Sequence, residues 1–186
     1  MPKQGHESAT VHTRINLMIK ARPEITLQPI GIIRTPFKQA TGTPIQSSVA
    51  RGAEGAIEVF AEYELGLRDI EGFERLWLIY QFDRASEPTL IVQPYLDRSD
   101  HGIFATRSPA RPNKLGISSV GLLGVDGHRL RISDVDMLDG TPLLDIKPYV
   151  PSFDHFPVGR IGWFEGRLVE GATADDRFER KGEHKT

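Results

Sequence analysis

The chain has 186 residues and a formal net charge of −2, with 18 glycines, 13 prolines and no cysteine. The absence of cysteine excludes disulfide bonds and thiolate zinc sites. The small net charge excludes an overall positive field, so a nucleic acid could bind only at a local basic patch. The length suits one domain with extensions, and the glycine and proline content is typical of many short strands joined by turns.

The N-terminal residues 1–26 are polar and show little periodicity, so we expect an arm that carries no chemistry. The longest apolar run in this arm, Ile15 to Ile19, is interrupted by Asn16 and is too short for a signal peptide or a membrane span. We therefore expect a cytoplasmic protein that makes no contact with a membrane. Residues 27–165 are expected to form one domain, and residues 166–186 a C-terminal tail.

Short apolar runs bounded by turn residues predict most of the secondary structure. The segment 62–76 has apolar residues at near-helical spacing, broken by Gly66 and Gly72, and predicts one or two short helices. Asp126-Gly127-His128 between two apolar runs predicts a β-hairpin. The predicted strands are residues 28–34, 56–60, 76–82, 89–93, 102–106, 117–125, 129–135, 143–147 and 161–164. Because these strands do not alternate with helices, they predict an all-β or mainly β fold, a single antiparallel β-barrel with one or two short helices.

Two polar loops concentrate the charged residues that could bind a ligand. The first, residues 105–116, carries Arg107 and Arg111 on a backbone stiffened by prolines, which lowers the entropy lost when a guanidinium binds a carboxylate or phosphate. The second, residues 134–142, carries three aspartates at positions 134, 136 and 139. The spacing leaves two alternatives open: the arginines pair with these aspartates inside the protein, or they bind a ligand. Asn113 likewise either contacts an adenine edge or closes an Asx-turn.

Several other site types are excluded by spacing. Counted from Asp134 as a calcium loop, the fifth position is Leu138 and the glycine comes seventh, so the ligand register fails. The six histidines form no metal-ligand spacing, and we therefore expect no metal. The chain also lacks the Gly-x-Ser-x-Gly motif of serine hydrolases and the Gly-x-Gly-x-x-Gly motif of Rossmann domains.

Five motifs follow one another in a fixed order and cover about residues 27–165. They are Pro29–Phe37, Pro44–Gln46, Gly72–Trp77, Arg107–Ser118 and Asp136–Tyr149. This series resembles the TsaA-like family of TrmO (YaeB) type tRNA methyltransferases. The resemblance implies a β-barrel that binds S-adenosylmethionine, a homodimer with the cofactor near the subunit contact, and methyl transfer to N6 of threonylcarbamoyladenosine at position 37 of tRNA.

The resemblance also implies roles for individual residues. Cofactor contacts fall on Pro44, Ile45, Gln46, Asp83, Arg84, Arg107, Ile117, Asp136, Met137, Leu138, Asp139, Gly140 and Thr141. Arg107 suits the methionine carboxylate, while an aspartate suits the ribose hydroxyls or the surroundings of the sulfonium. Arg111, Asn113 and Lys114 are the expected substrate-binding residues. If the reaction uses a general base, Asp139, Asp145 and Lys147 are the candidates, because they lie in the last matched motif.

The chain departs from the family pattern at three positions that bear on the substrate. Ala110, Lys114 and Asp83 stand where family members commonly have Phe, Pro and His. Longer bacterial members also have a C-terminal domain that contributes to tRNA binding, and we expect this chain not to include one. Two alternatives to tRNA methylation therefore stay open: a homodimer that binds S-adenosylmethionine without transferring its methyl group and acts as a sensor or interaction module, and a methyltransferase of a small molecule.

Overall fold

The structure, a computed structural model, describes residues 23–167 and 170–180, so most of the predicted N-terminal arm and the end of the predicted tail lie outside the described residues. No helix in these ranges is long and apolar enough to cross a lipid bilayer. The strands are β1 (Gly31–Arg34), β2 (Glu54–Val59), β3 (Arg75–Gln81), β4 (Ile91–Val92), β5 (His101–Gly102), β6 (Leu115–Asp126), β7 (Arg129–Ser133) and β8 (Thr141–Pro148). Among the described residues, Pro151–Asp154 forms one α-helical turn, α1, and 3₁₀ helices span Ala61–Leu67, Ile70–Gly72, Ile103–Ala105 and Gly162–Phe164.

Six strands close an antiparallel β-barrel in the order β1, β2, β7, β6, β3, β8, while β4 and β5 form a small two-stranded sheet. This architecture confirms the predicted fold class. Side chains of a strand point alternately to its two faces, and in β3 the inward-pointing Leu76, Leu78 and Tyr80 are buried. They pack with the inward residues of the other strands and fill the barrel.

The predicted hairpin and the predicted short helices are also present. Asp126 and Arg129 are paired across β6 and β7, and Gly127 and His128 form a two-residue turn. Gly127 has a φ of +56°, a value that glycine adopts without steric cost. The two short helices between β2 and β3 are 3₁₀ helices.

Two segments predicted as strands have other structures. Residues 161–164 form the 3₁₀ helix Gly162–Phe164, and of residues 102–106 only Gly102 belongs to a strand. Both predictions were wrong because the backbone forms local turns there: the N–H of Thr106 donates to the carbonyl oxygen of Ile103 at 3.1 Å, and that of Glu165 to the carbonyl oxygen of Gly162 at 3.1 Å. Instead, Trp163 donates a hydrogen bond from Nε1 to the carbonyl oxygen of Ala105 at 2.8 Å, which ties the two segments together. The indole ring of Trp163 is partly buried and stacks on His101.

One rim of the barrel collects three loops that are far apart in the sequence. These loops join β1 to β2 (residues 35–53), β3 to β6 (residues 82–114) and β7 to β8 (residues 134–140). They meet because neighbouring strands are antiparallel, so the end of one strand lies beside the start of the next. The opposite rim carries the β6–β7 hairpin and the two 3₁₀ helices between β2 and β3. We call the rim with the three loops the loop rim.

Candidate functional site

A cavity of about 280 Å³ opens at the loop rim. Its size lies just below the roughly 300 to 1,000 Å³ of typical small-molecule pockets. Each of the three loops contributes to its wall, and so do the end of β3 and the starts of β6 and β8. The wall is drawn from residues 40–46, 80–85, 106–111, 115–117, 136–141, 174 and 178–179.

Most of the residues predicted to contact the cofactor line this one cavity. They are Pro44, Ile45, Gln46, Asp83, Arg84, Arg107, Ile117, Asp136, Met137, Leu138 and Thr141. Asp139 and Gly140 continue the same turn without lining the cavity. The structure thus brings together motifs from four separate stretches of the sequence, and the assignment of each residue to a cofactor contact stays a prediction.

The two arginines of the first polar loop do not pair with the aspartates of the second. Arg107 donates from Nη1 to Oε1 of Gln46 at 2.5 Å, and its side chain is exposed at the cavity. Arg111 donates to two backbone carbonyl oxygens, those of Ile103 (3.2 Å) and Thr106 (2.9 Å). Arg111 therefore braces its own loop, while Arg107 keeps further guanidinium donors for a ligand.

The other two residues predicted to bind substrate lie outside the cavity wall. Asn113 is exposed to solvent. Lys114 has a φ of +46° and donates from Nζ to the carbonyl oxygen of Ala85 at 3.0 Å. This bond joins the start of β6 to the loop after β3, so Lys114 stabilises the contact between these two segments.

None of the three residues predicted as a general base lies at the cavity. The carboxylate of Asp139 accepts hydrogen bonds from Nζ of Lys38 (2.7 Å) and from the backbone N–H of Thr35 (3.1 Å). Asp145 and Lys147 form an ion pair of 2.7 Å with each other, and both side chains are largely exposed. A β-bulge where β8 pairs with Ile79 and Tyr80 of β3 changes the register before Asp145.

Two residues that the sequence analysis missed connect the barrel interior to the cavity. The hydroxyl of Tyr80 lies 3.0 Å from Oγ of Ser118, and Oγ of Ser118 donates to Oδ1 of Asp136 at 2.6 Å. Because Ser118 donates its hydroxyl hydrogen to Asp136, it can only accept a hydrogen bond from Tyr80. Tyr80 is therefore the donor in its hydrogen bond with Ser118. A sequence signal was present, since Ser118 is a polar residue at an inward position of β6.

The environment of Asp136 differs from that of the other aspartates nearby. Burial raises the pKa of Asp136 to about 6, against the opposing effects of the hydrogen bond from Ser118, the backbone N–H groups of Asp136 and Ser47, and the charge of Arg107. Burial also raises the pKa of Tyr80, which keeps its hydroxyl protonated. A carboxyl group with a pKa of about 6 can give up or take a proton near neutral pH.

A glycine makes the position of Tyr80 possible. Gly116 is the β6 partner of Tyr80, and a Cβ atom at position 116 would lie 2.2 Å from Cε2 of the Tyr80 ring. No side chain other than that of glycine leaves room for the ring there. The ring therefore lies over Gly116, and its hydroxyl reaches Ser118.

Part of the predicted C-terminal tail forms one wall of the cavity. Thr173 pairs with Pro44 in an antiparallel bridge, and the backbone N–H of Ala174 donates to the carbonyl oxygen of Thr43 at 2.7 Å. Further on, Glu179 pairs with Ala85 in a second bridge. We call residues 172–180 the C-terminal strap, because this segment connects the loop after β1 to the loop after β3. The division into a domain at residues 27–165 and a tail stays a prediction.

One side chain anchors the C-terminal strap. Phe178 is 8% exposed and packs in a second apolar cluster with Val92, Ile103 and Ala110. Its ring also contacts that of Tyr95 edge to face, with 5.2 Å between the centroids. Hydrophobic periodicity does not predict this anchor, because Phe178 is a single apolar residue among charged ones.

The chain is similar to several known proteins. A family model described as the tRNA-methyltransferase O N-terminal domain matches residues 32–155. A protein of Pyrococcus abyssi named a probable S-adenosyl-L-methionine-binding protein is 54% identical over 156 residues, which are 83% of this chain and 85% of that protein. The tRNA (adenine(37)-N6)-methyltransferase of Escherichia coli is 35% identical over 140 residues, which are 70% of this chain and 60% of that enzyme.

The fold is similar to that of a solved structure as well. The crystal structure of TrmO from Pseudomonas aeruginosa has a TM-score of 0.64 and 36% sequence identity, over 76% of this chain and 63% of that chain. The chain thus spans less than two thirds of the length of this TrmO and of the Escherichia coli enzyme. The family model covers all three loops of the loop rim and ends before the C-terminal strap. Because it matches well over half of the sequence, this chain belongs to the tRNA-methyltransferase O N-terminal domain family.

Proposed function

We propose that this protein binds S-adenosylmethionine in the cavity at the loop rim and transfers the methyl group to N6 of threonylcarbamoyladenosine at position 37 of tRNA. The observation that carries the proposal is the convergence of three of the five family motifs, Pro44–Gln46, Arg107–Ser118 and Asp136–Tyr149, on one cavity of small-molecule size. Two relatives support it by name, an S-adenosyl-L-methionine-binding protein and a tRNA (adenine(37)-N6)-methyltransferase.

The residues of the cavity fit the cofactor chemically. Arg107 offers a guanidinium fork of the kind that binds a carboxylate. Ile45, Met137 and Leu138 supply apolar surface for a purine ring. Asp136 supplies a negative charge for a sulfonium or an amino group. S-adenosylmethionine brings an activated methyl group, and the protein has to hold it in line with the attacking nitrogen and exclude water.

Alignment of the two reactants accounts for most of what the protein contributes. Holding reacting groups in line can lower the barrier by roughly 7 to 11 kcal/mol. Rigid walls favour such alignment, and here the wall segments are cross-linked by hydrogen bonds. Arg84 donates to the carbonyl oxygens of Asp139 and Lys38, which connects the loop after β3 to the two neighbouring loops.

A tRNA substrate needs positive charge near the cavity, because the chain as a whole is slightly acidic. Arg98, Arg107, Arg111 and Lys114 form no ion pair with a carboxylate within residues 23–167 and 170–180, and Arg107 and Arg111 line the cavity itself. We propose that Arg98, Arg111 and Lys114 form the local basic patch that contacts phosphates, while Arg107 binds the carboxylate of the cofactor. A tRNA substrate also implies a cytoplasmic location, which fractionation of cells that express the protein would test.

The test is transfer of a labelled methyl group to tRNA that carries threonylcarbamoyladenosine, with unmodified tRNA as the control. We expect product only with the modified tRNA. Cofactor binding without any transfer would contradict the enzymatic part of the proposal.

Arg107→Ala is expected to weaken cofactor binding by about 1.5 to 3 kcal/mol, because a charge-assisted hydrogen bond is lost. An unchanged dissociation constant would show that Arg107 does not bind the carboxylate of the cofactor.

We further propose that the protein is a homodimer. Large apolar side chains are exposed along one stretch after β8, where Phe153 and Phe156 are each 73% exposed and Val158 is 68% exposed. Contiguous apolar surface of this kind marks protein contacts. Sedimentation should give the mass of a dimer, and Phe153→Ser with Phe156→Ser should give a monomer. Dimers that persist in this double variant would place the subunit contact elsewhere.

A second function is favoured by one comparison. The Pyrococcus abyssi protein, which matches over most of its length, is named for S-adenosyl-L-methionine binding alone. A binding module without transfer activity would bind S-adenosylmethionine and S-adenosylhomocysteine with similar affinity and would yield no methylated product from any RNA pool. The labelled-methyl experiment separates this function from the first.

A further inference from the structure

Two buried hydroxyl groups lie in line between the barrel interior and the cavity. Tyr80 and Ser118 are each 4% exposed, in a core that is otherwise almost entirely apolar. Burying a hydroxyl group costs free energy unless it is hydrogen-bonded. Both groups are hydrogen-bonded here, and the line of bonds ends at the carboxylate of Asp136 in the cavity wall.

The direction of the protons follows from the chemistry of the end group. An ionised carboxylate can only accept, so Ser118 donates to Asp136 and Tyr80 donates to Ser118. Each member therefore fixes the orientation of the next one. Because the ring of Tyr80 is held over Gly116 by the pairing of β3 with β6, the barrel itself sets the position of the Asp136 carboxylate.

Asp136 also differs from the other aspartates near the loop rim in its charge balance. Asp134 pairs with Arg75 at 2.5 Å, Asp139 with Lys38 at 2.7 Å and Asp145 with Lys147 at 2.7 Å. Within the described ranges Asp136 has no ion pair. The groups that face it are the hydroxyl groups of Tyr80 and Ser118, the backbone N–H of Ser47 and the more distant charge of Arg107.

The nitrogen that the proposed reaction methylates carries a proton and belongs to a urea-like group, so it is a weak nucleophile until that proton leaves. Resting on the proposed function, we propose that Asp136 is the catalytic base that takes this proton, and that Ser118 and Tyr80 are positioning residues that aim its carboxylate. The other two carboxylates of the cavity wall are engaged differently: Asp83 lies 3.7 Å from Arg84, and Glu179 accepts a hydrogen bond from the backbone N–H of Ala40 at 2.9 Å.

The step balances in atoms and charge. The N6–H bond breaks and its proton goes to the carboxylate of Asp136, while the electron pair of the nitrogen forms the new N–CH₃ bond. The CH₃–S bond breaks and leaves its electron pair on sulfur. One negative and one positive charge are thereby removed together, and a neutral carboxylic acid and a neutral thioether result. The acid then loses its proton to solvent, which a pKa of about 6 allows near neutral pH.

The test compares Asp136→Asn with Asp134→Asn, which makes the same change two residues earlier and outside the cavity wall. We expect Asp136→Asn to lower the single-turnover rate by roughly 10²- to 10⁴-fold with saturating substrates. The rate is compared at saturating cofactor, so that any loss of S-adenosylmethionine affinity caused by the missing negative charge does not enter it. Asp134→Asn should transfer at the wild-type rate.

The positioning role has a separate readout in the pH dependence of the rate. The wild-type rate should rise with pH and level off above about pH 6. In Ser118→Ala the acid limb should move to higher pH, because the hydrogen bond from Ser118 lowers the pKa of Asp136. Tyr80→Phe should move it in the same direction by a smaller amount. An acid limb that stays in place in both variants would overturn the positioning role.

Other outcomes would contradict the assignment of Asp136 as the catalytic base. If Asp136→Asn transfers at the wild-type rate, Asp136 is not the base. If its rate recovers at saturating cofactor while the affinity for S-adenosylmethionine is lost, Asp136 only binds the cofactor. Both results require an active wild-type protein. A wild-type protein that binds the cofactor and methylates no tRNA gives a different pattern, in which the proposed function fails and the base assignment fails with it.

Discussion

Asp136 and Asp139 lie three residues apart in one turn, and their surroundings shift their pKa values in opposite directions. Burial raises the pKa of Asp136. The hydrogen bond from Lys38, together with that from the backbone N–H of Thr35, lowers the pKa of Asp139. At neutral pH the ionised Asp136 therefore lowers the free energy of unfolding, whereas the ionised Asp139 raises it.

The first prediction concerns Asp136→Asn and the stability of the protein. The folded-state pKa of about 6 lies above the ordinary value of 3.8, so the folded state binds more protons between these two values. Stability is therefore fully present below about pH 4 and is lost as the pH rises through about 6. At neutral pH the substitution should raise the free energy of unfolding by up to about 2 kcal/mol, as measured by urea unfolding.

Asp139→Asn is the matched control, with the opposite sign. Because the pKa of Asp139 is lowered in the folded state, its contribution is present above the ordinary value of 3.8 and is lost as the pH falls through the lower folded-state value. Its partner Lys38 is 71% exposed, so the expected loss at neutral pH is only about 0.5 to 1 kcal/mol. Both variants should approach wild-type stability in acid. A gain for both, or a loss for both, would contradict the assignment.

At the scale of the elements, the pairing of β3 with β6 connects core packing to the site. The ring of Tyr80 occupies the space that a side chain at position 116 would fill, so the close approach of these two strands is what carries the Tyr80 hydroxyl to Ser118. A change at position 116 therefore affects both stability and the site.

We predict that Gly116→Ala destabilises the protein by about 1 to 3 kcal/mol, because the new methyl group overlaps the Tyr80 ring. The same change should move the acid limb of the pH–rate profile, since the displaced ring no longer supports Ser118. Gly159→Ala serves as the control, because a Cβ at position 159 meets no atom within 4 Å. Its effect on thermal unfolding should be within about 0.5 kcal/mol of zero.

The C-terminal strap gives a second prediction at this scale. Phe178→Ala removes the anchor from a buried cluster and should cost about 3 to 5 kcal/mol. Because the strap pairs with Pro44 and Ala85, which line the cavity, cofactor affinity should fall as well, and calorimetry would measure it. Arg180→Ala is the control, since its side chain is exposed and lies 4.0 Å from an exposed Glu87. If a folded Phe178→Ala protein keeps full cofactor affinity, the C-terminal strap does not contribute to cofactor binding.

At the scale of the whole molecule, barrel closure sorts the connections between strands into two rims. The three loops with the family motifs share one rim, so the chemistry of the protein is concentrated at one end of the barrel. The net charge of −2 leaves only the local basic patch to attract a polyanion.

This charge distribution predicts a moderate salt dependence of tRNA binding. Each phosphate neutralised contributes a slope of about −0.7 to −0.9 in a plot of log affinity against log salt concentration. With three cations in the patch, we expect a slope of about −2 to −3 from binding measured between low and physiological salt. Lys114→Ala should reduce this slope by about 1. A slope near zero would contradict binding through the patch.

The strand patterns and turn signals predicted the barrel class and the hairpin at Gly127. These features depend on local periodicity, which a sequence displays directly. Other features depend on register and on distant partners. That Asp145 and Lys147 face away from the cavity follows from a bulge between β3 and β8, and the bond between Tyr80 and Ser118 follows from the pairing of Tyr80 with Gly116.

The order of synthesis has a consequence for how the cavity forms. Pro44 pairs with Thr173, Ala85 pairs with Glu179, and β1 pairs with β8 to close the barrel. In each pair the first member is synthesised long before its partner. During translation the early loops are therefore without their partners until residues 172–180 have been made. Contacts between such distant positions form slowly. Ligand binding should thus be among the last properties that a newly synthesised molecule acquires, and it reports completion of the fold.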